Sequence, residues 1–202
     1  MTDYRAKSRA AFDRQAATYD KAHYSQHAKK LYPFLLAQLG QVPHGAVLDL
    51  GCGTGELLSA AVGRWPEGDW AGLDLSENML CAARTKLGDR VELVRGDAAE
   101  LPFADGRFQA VVCSDSFHHY PEPDRVLEEV RRVLQPGGVF LLGDTTAPAA
   151  LRGVTNLLLP LGDSGDVRIY GTGEIRALLE KRFHGVECRK VDATSFLAWG
   201  IK

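Results

Sequence analysis

A glycine-rich loop follows a short apolar run near residue 50. Residues 47–55 read VLDLGCGTG, and the helical pattern ELLSAAVG follows directly. Glycine lets the backbone approach a ligand closely, and the first turn of the following helix favours a negatively charged group. This order of strand, glycines and helix predicts a ligand site at the end of the strand, although dinucleotide sites use the same order.

The spacing of these glycines distinguishes two kinds of cofactor. The nicotinamide pattern G-x-G-x-x-G would require a glycine at position 56, where this chain has Glu56; the third glycine comes one position earlier, at Gly55. An acidic side chain close to a pyrophosphate would also be repulsive. The spacing therefore disfavours a nicotinamide-dependent oxidoreductase.

Polar residues end the next apolar runs as well. Asp74 ends the second run, Asp97 follows the third, and Ser114 follows the fourth. Ligands of open α/β sheets bind outside the carboxyl ends of the strands, so we expect these residues and Asp49 to converge on one crevice. A carboxylate at position 74 can accept hydrogen bonds from both hydroxyls of a ribose. An adenosine ligand without phosphates, carrying a positive charge, would suit this edge.

Polar residues at this edge also have purely structural explanations. Asp97 and Glu100 could form a capping box, and Ser76 could cap the helix that begins with ENMLCAAR. A structural sheet has no reason to collect four polar strand ends at one edge, which favours the ligand site.

Two adjacent histidines, His118 and His119, come shortly after the fourth apolar run. A histidine near its reference pKa of about 6.5 can take up a proton at neutral pH, so either one could act as a general base. A loop contact, a helix cap or a buried imidazole is the structural alternative. A metal site is less favoured, since neighbouring histidines point in different directions and the sequence offers no evident third ligand.

The elements that must position these residues alternate along the chain. Short apolar runs (AVLDL, DWAGLDL, VELVRGD, FQAVVCSD and GVFLLGD) are separated by amphipathic helical patterns, which is typical of βαβ units and a parallel sheet. The end of the chain predicts two strands joined by a tight turn near residues 192–193, which would pair antiparallel. The predicted class is α/β: a Rossmann-like, doubly wound, mostly parallel seven-stranded sheet with helices on both faces and a C-terminal antiparallel hairpin strand.

We expect one domain over residues 1–202. Its parts would be a helical cover over 1–44, a ligand-binding core over 45–144, a substrate lid over 145–173, and a last helix with the strand hairpin over 174–202. One helix should start near Pro123, bury Leu134 and stop at the following QPGG. In the lid, the apolar NLLLPL at 156–161 could line a substrate pocket, form a dimer contact or pack in the core.

Composition limits the classes of partner. The chain has 24 Lys and Arg against 26 Asp and Glu, a net charge of -2, so no general attraction to nucleic acid or anionic lipid is expected. The N-terminus resembles no signal peptide, and no apolar run approaches about 18 residues. We therefore expect a cytoplasmic monomer or homodimer without stable membrane insertion. The separated cysteines predict neither a disulfide framework nor a zinc site.

The motifs together resemble a known family. VLDLGCGTGELL, GLDLSENML, VRGDAAELPF, FQAVVCSDSFHHY and VLQPGGVFLLGD look like the successive motifs of class I S-adenosylmethionine-dependent methyltransferases, in the same order over residues 46–144. Within that family the chain is similar to small, type 11-like methyltransferases related to those of ubiquinone and menaquinone biosynthesis. These share a Tyr-Asp pair near the N-terminus, here Tyr19-Asp20.

The resemblance implies S-adenosylmethionine as cofactor, S-adenosylhomocysteine as product and no metal. It maps the methionine part onto Tyr19, Asp49, Gly51 and Gly53, and the ribose onto Asp74. The adenine maps onto Leu75, Met79, Asp97 and Ala98, and Ser114 lies beside the sulfonium. The complete predicted set is Tyr19, Asp49, Gly51, Cys52, Gly53, Thr54, Asp74, Leu75, Met79, Asp97, Ala98 and Ser114.

The implied activity is direct, in-line transfer of a methyl group to a small-molecule acceptor, with His118 or His119 as the candidate base. The alternative is a protein that binds the cofactor or its product without turnover. A nicotinamide-dependent oxidoreductase is the third and least favoured hypothesis.

Overall fold

The computed structural model describes residues 3–23 and 25–202, so residues 1, 2 and 24 of the predicted cover lie outside the described residues. The strands are β1 (Ala46–Leu50), β2 (Asp69–Asp74), β3 (Glu92–Arg95), β4 (Phe108–Ser114), β5 (Leu134–Thr145), β6 (His184–Lys190) and β7 (Ser195–Ile201). The α-helices are α1 (Tyr4–Gln15), α2 (Ser25–Leu39), α3 (Glu56–Arg64), α4 (Glu77–Leu87), α5 (Pro123–Val133), α6 (Ala149–Leu158) and α7 (Thr172–Glu180).

Within these ranges the strands form one seven-stranded sheet in the order β3-β2-β1-β4-β5-β7-β6. The first five strands run parallel to one another. β7 lies between β5 and β6 and pairs antiparallel with both. The predicted α/β class and the C-terminal hairpin strand are thus confirmed.

Helices cover both faces of the sheet, because the strand residues alternate between two buried clusters. Leu48 and Leu50 belong to one cluster with residues of α5 and α7, and Val47 belongs to the other with residues of α2, α3 and α4. Fully burying one such side chain contributes on the order of 1.5–3 kcal/mol. The two faces therefore bury separate apolar cores and hold the carboxyl ends of the strands in place.

The junction between α5 and β5 differs from the prediction. The helix ends at Val133, and Leu134 already belongs to β5, although its side chain is fully buried as expected. The residue before a proline favours an extended backbone, so the chain leaves the helix ahead of Pro136.

The segment 145–173 contains α6 and a short 3-10 turn, Leu159–Leu161. Leu157 is 76% exposed and Leu161 is 80% exposed, so core packing does not explain the NLLLPL run. Asn156 instead faces inward and exchanges hydrogen bonds with the backbone of Ile169. Among the described residues, no helix is long and apolar enough to cross a membrane.

Candidate cofactor site

A cleft opens along the carboxyl edge of the parallel strands. The sheet order places Asp97 after β3, Asp74 at the end of β2, Gly51 after β1 and Ser114 at the end of β4, side by side in this sequence. All four residues line the cleft, whose volume is about 980 Å³ including its open mouth. Pockets for small ligands commonly measure about 300–1,000 Å³.

The glycine loop brings the backbone to the cleft. Gly51 has a φ of 75°, and a Cβ added there would lie 2.4 Å from Oγ of Ser116, so this position excludes any side chain. Gly53 has a φ of 52°, and a Cβ added there would meet nothing within 4 Å. The space beside Gly53, together with Cys52 and Thr54, belongs to the cleft lining.

Asp74 is held in place by backbone groups. Its Oδ2 accepts from the N–H of Gly53 at 2.8 Å, and its Oδ1 accepts from the N–H of Ser76 at 2.8 Å. Burial raises the pKa of Asp74, and these backbone hydrogen bonds partly oppose the rise. A carboxylate has about four acceptor sites, so capacity remains for a ligand hydroxyl. Asp74 thus fits the ribose role.

Ser76 caps α4, as one of the structural explanations predicted. Its Oγ accepts from the N–H of Met79 at 3.1 Å. Oγ also donates to Oδ1 of Asp13 in α1 at 2.5 Å, which ties the N-terminal helix to the cleft. Met79 is 1% exposed and lines the cleft beside Leu75.

Asp97 lies in the cleft with a partner already present. Its Oδ1 accepts from the N–H of Ala99 at 2.9 Å, and its Oδ2 lies 2.5 Å from Nε of Arg5 in α1. Arg5 also pairs with Glu122. No helix begins between β3 and β4, where Asp97 lies, so the capping-box explanation is wrong. Asp97 and Ala98 line the end of the cleft next to Leu75.

Asp49 and Ser114 each have one buried side-chain oxygen, Oδ1 and Oγ respectively, that has no hydrogen-bond partner among the described residues. Ser114 lines the cleft. Unpartnered buried polar atoms are rare in folded proteins, so a polar ligand group in front of Ser114 fits the site. Asp49, however, lines a separate small cavity against α2 and α3, not the cleft. Burial raises the pKa of Asp49 to about 7, and the charge of Asp74 adds to the rise.

The Tyr19-Asp20 pair has two separate roles. Tyr19 lines the cleft. Asp20 accepts from Oγ1 of Thr54 at 2.5 Å and pairs with Nζ of Lys86 at 2.9 Å. Asp20 therefore anchors the N-terminal segment to the glycine loop, a contact that the sequence did not reveal.

Burial raises the pKa of the Cys52 thiol well above its usual value, so this thiol stays protonated at neutral pH.

The two histidines stand in different environments. His118 donates from Nδ1 to Oδ1 of Asp144 at 2.6 Å and does not line the cleft. Burial opposes the protonation of His118, but the charge of Asp144 and this hydrogen bond outweigh it and raise the pKa. His118 would have to release this proton before it could act as a base, so that role stays a prediction. His119 lines the cleft, and burial together with the charge of His118 lowers its pKa.

Two carboxylates at this edge were not among the predicted site residues. Asp115 has a left-handed backbone, φ 52°, and accepts a hydrogen bond from Nδ1 of His27 at 2.8 Å. Non-glycine residues in this region often mark functional sites, because the strain must be compensated by surrounding contacts. Asp144, near the end of β5, is 1% exposed. The run GVFLLGD ends in a carboxylate like the earlier runs, and this signal could have identified Asp144.

Comparisons with known proteins agree with this architecture. Residues 47–138 match the family described as "Methyltransferase domain". The demethylmenaquinone methyltransferase of Staphylococcus carnosus is 36% identical over 152 residues, which cover 70% of this chain and 61% of that protein. The chain thus spans about three fifths of this relative's length, and 45% of the length of the Listeria welshimeri enzyme of the same name.

Solved structures extend the similarity. A Bacillus halodurans protein that bears a methyltransferase assignment is 31% identical, with a TM-score of 0.65, and the match covers 76% of this chain and 71% of that one. The PH0226 protein of Pyrococcus horikoshii is 27% identical with a TM-score of 0.71, covering 93% and 95%. A Haemonchus contortus phosphoethanolamine N-methyltransferase bound to S-adenosylmethionine shares the fold at 18% identity, with a TM-score of 0.72 and coverage of 86% and 52%.

The sheet order, the antiparallel β7 and the glycine loop after β1 define a Rossmann-like class I methyltransferase. The chain belongs to the class I S-adenosylmethionine-dependent methyltransferases and is related to the menaquinone-biosynthesis enzymes. S-adenosylmethionine is the cofactor of this family, and the lining of the cleft fits it.

Proposed function

We propose that the protein transfers the methyl group of S-adenosylmethionine to a small-molecule acceptor by direct, in-line displacement. The observation that carries this proposal is the cleft, in which polar strand ends continue into a more aromatic region. Asp97 and Asp74 lie at one end, and beyond Ser114 the lining continues with Asp115 and His119. The cover helices add three aromatic side chains to the lining, those of Phe12, Tyr19 and Tyr32.

The bound cofactor would supply an activated, positively charged methyl donor. On this proposal Asp74 binds the ribose, and Leu75, Met79, Asp97 and Ala98 surround the adenine. Tyr19 and the loop residues Gly51, Cys52, Gly53 and Thr54 hold the methionine part, with Ser114 next to them. We infer a supporting role for Asp49, since its carboxylate lies behind the loop and outside the cleft lining.

The acceptor would be selected by the segment 145–173. A second cavity of about 950 Å³, also counted with its open space, shares Tyr120 and Pro121 with the cleft. Asn156, Val167 and Tyr170 of this segment line it. The name of the Staphylococcus carnosus relative gives demethylmenaquinone as that enzyme's substrate. A quinone-type aromatic compound is therefore the first acceptor class to test here.

The chain's own contribution to the rate would be alignment. Holding two reactants in line can supply on the order of 7–11 kcal/mol, without a covalent enzyme intermediate. We propose that neither predicted histidine acts as a base. His118 already carries a proton, and the lowered pKa of His119 makes it a weak proton acceptor.

The decisive experiment incubates the protein with S-adenosylmethionine labelled in its methyl group, together with pooled metabolite extracts and a short-chain demethylmenaquinone. We expect a labelled small molecule. Asp74→Ala should give none, whereas Asp89→Ala, which removes an exposed carboxylate outside the cleft, should label normally. If the protein binds the cofactor but labels no compound in any pool, the binding-only alternative replaces this proposal.

A further inference from the structure

Three potential metal ligands meet between the turn after β4 and the loop that follows α6. In the described part of the chain, His118, His119 and Asp166 each offer one donor atom, and these atoms all lie within 4.8 Å of one another. Nε2 of His118 is 3.6 Å from Oδ1 of Asp166, and Nδ1 of His119 is 3.1 Å from the same oxygen. The sequence could not reveal this third ligand, because Asp166 is distant from the histidines in the chain.

These separations suit a metal ion. Zinc binds imidazole nitrogen and carboxylate oxygen at about 2.0–2.2 Å, so two ligands of a tetrahedral site lie about 3.3–3.5 Å apart. The separations of 3.6 and 3.1 Å lie on either side of this value. The third separation, between the donor atoms of the two histidines, is within 4.8 Å.

Neighbouring groups orient the three donors. Asp144 accepts from Nδ1 of His118 at 2.6 Å, which leaves Nε2 to face Asp166. A metal ion binds the neutral imidazole, so its binding would displace the proton from Nε2. Oγ of Ser164 donates to Oδ2 of Asp166 at 2.7 Å, which leaves Oδ1 for the cluster. A carboxylate behind a histidine ligand is the usual outer partner in zinc proteins, where it fixes the orientation of the ring.

One donor atom lacks a well-directed hydrogen bond. The side chain of His119 is 10% exposed, and its Nδ1 makes no hydrogen bond with any described residue, although Oδ1 of Asp166 is 3.1 Å away. A buried nitrogen in this state costs free energy unless an unseen partner satisfies it. The backbone holds the two segments together, since the N–H groups of Val167 and Arg168 donate to the carbonyl of His118 at 2.9 and 3.1 Å.

We propose that His118, His119 and Asp166 bind a divalent transition-metal ion of the zinc class. Two imidazoles and one carboxylate favour zinc, cobalt or nickel over magnesium or calcium, which prefer all-oxygen sites. Three protein ligands leave at least one position for water. The ion would fasten the loop carrying Asp166 to the strand end that lines the cofactor cleft. This inference does not depend on the identity of the methyl acceptor.

The test uses full-length, tag-free protein from which metals have been removed by a chelator. Calorimetric titration with zinc should give one ion per chain, and cobalt should give the visible absorption of a four-coordinate site. Asp166→Asn and His119→Asn should each weaken zinc binding at least tenfold. Asp144→Asn should weaken it by about 10- to 100-fold, the usual loss for an outer partner.

Matched controls separate this site from adventitious binding. Asp163→Asn changes an exposed carboxylate in the same loop, His184→Asn removes an exposed histidine, and Cys81→Ser removes the exposed thiol. All three should bind zinc like the wild type. Asp166 lies in a surface loop, so Asp166→Asn should fold normally, and circular dichroism checks this.

A zinc-dependent slowing of amide exchange over residues 163–168 would support the proposal independently of catalysis. The proposal is overturned if no zinc binds stoichiometrically. It is equally overturned if Asp166→Asn and His119→Asn bind as tightly as the wild type, or if binding disappears in Cys81→Ser. None of these readouts requires methyl transfer, so failure of the proposed activity would leave this result standing.

Discussion

The carboxylates at the ends of adjacent strands have different hydrogen-bond and ion-pair partners. Asp74 accepts two backbone hydrogen bonds, Asp97 pairs with an arginine, and Asp144 pairs with an imidazole. Asp49 is buried with one oxygen unpartnered. A sequence pattern that places an acidic residue at each strand end cannot predict these partners, since the partners come from distant parts of the chain.

The two carboxylates assigned to adenosine should contribute unequally to cofactor binding. Asp74→Ala should weaken S-adenosylmethionine binding more than Asp97→Ala, because Asp74 would bind two ribose hydroxyls and Asp97 one amine. Hydrogen bonds to charged groups contribute about 1.5–3 kcal/mol each, so the order should be clear by calorimetry. Asp89→Ala is the exposed control. Equal or reversed losses in folded variants would contradict the assignment.

A second residue-scale prediction concerns Asp49 and pH. The pKa of about 7 in the folded protein lies above the value of about 3.9 expected in the unfolded chain. The folded state therefore holds this proton more tightly, and the free energy of unfolding should fall as pH rises from about 4 to about 7. Asparagine cannot ionise, so Asp49→Asn should remove this decline.

Thermal unfolding without ligand at pH 5 and pH 8 measures the effect. The Tm of Asp49→Asn minus that of the wild type should be more positive at pH 8, and Asp89→Asn, at an exposed site, should show no such change. The same difference at both pH values would mean that Asp49 has a normal pKa in the folded protein.

At the scale of elements, the local patterns predicted much more than the contacts between elements. The apolar runs that became β1–β5 are continuous and short, so their positions and their polar ends could be identified from neighbouring residues alone. The role of α1 could not be predicted in this way, because its contacts with Asp97 and Ser76 join residues far apart in sequence. The left-handed backbone of Asp115 was equally hidden, since nothing in the sequence around it requires this conformation.

The prediction for α1 follows from these contacts. Arg5→Ala removes the ion pairs with Asp97 and Glu122, so α1 should exchange its amide hydrogens faster and S-adenosylmethionine should dissociate faster. The partly exposed pair of Arg5 with Asp97 should contribute about 0.2–1 kcal/mol, so we expect a change of a few-fold. Arg14→Ala, at an exposed position of the same helix, is the matched control. If both variants behave alike in hydrogen exchange and stopped-flow release, α1 does not retain the ligand.

At the scale of the whole molecule, the cleft joins parts of the chain that are far apart in sequence. Its lining includes α1, the glycine loop, the ends of β2 and β4, and the turn that carries His119. Most of these parts belong to different layers of the fold and meet only in the native state. A ligand that touches all of them should therefore stabilise the entire folded chain and leave the unfolded chain unaffected.

Ligand-linked stability gives the last prediction. Saturation at 100 times the Kd adds about 2.7 kcal/mol to the free energy of unfolding. For a chain of 202 residues, each 1 kcal/mol raises the Tm by about 2–4 °C, so the shift should be about 5–11 °C. S-adenosylmethionine and S-adenosylhomocysteine should both produce it, because the adenosine and amino acid contacts are common to them. NAD should not, because the chain has Glu56 where the dinucleotide fingerprint requires its third glycine. Asp74→Ala should lose most of the shift with either adenosine ligand. A comparable shift with NAD would revive the oxidoreductase hypothesis that the glycine spacing disfavours.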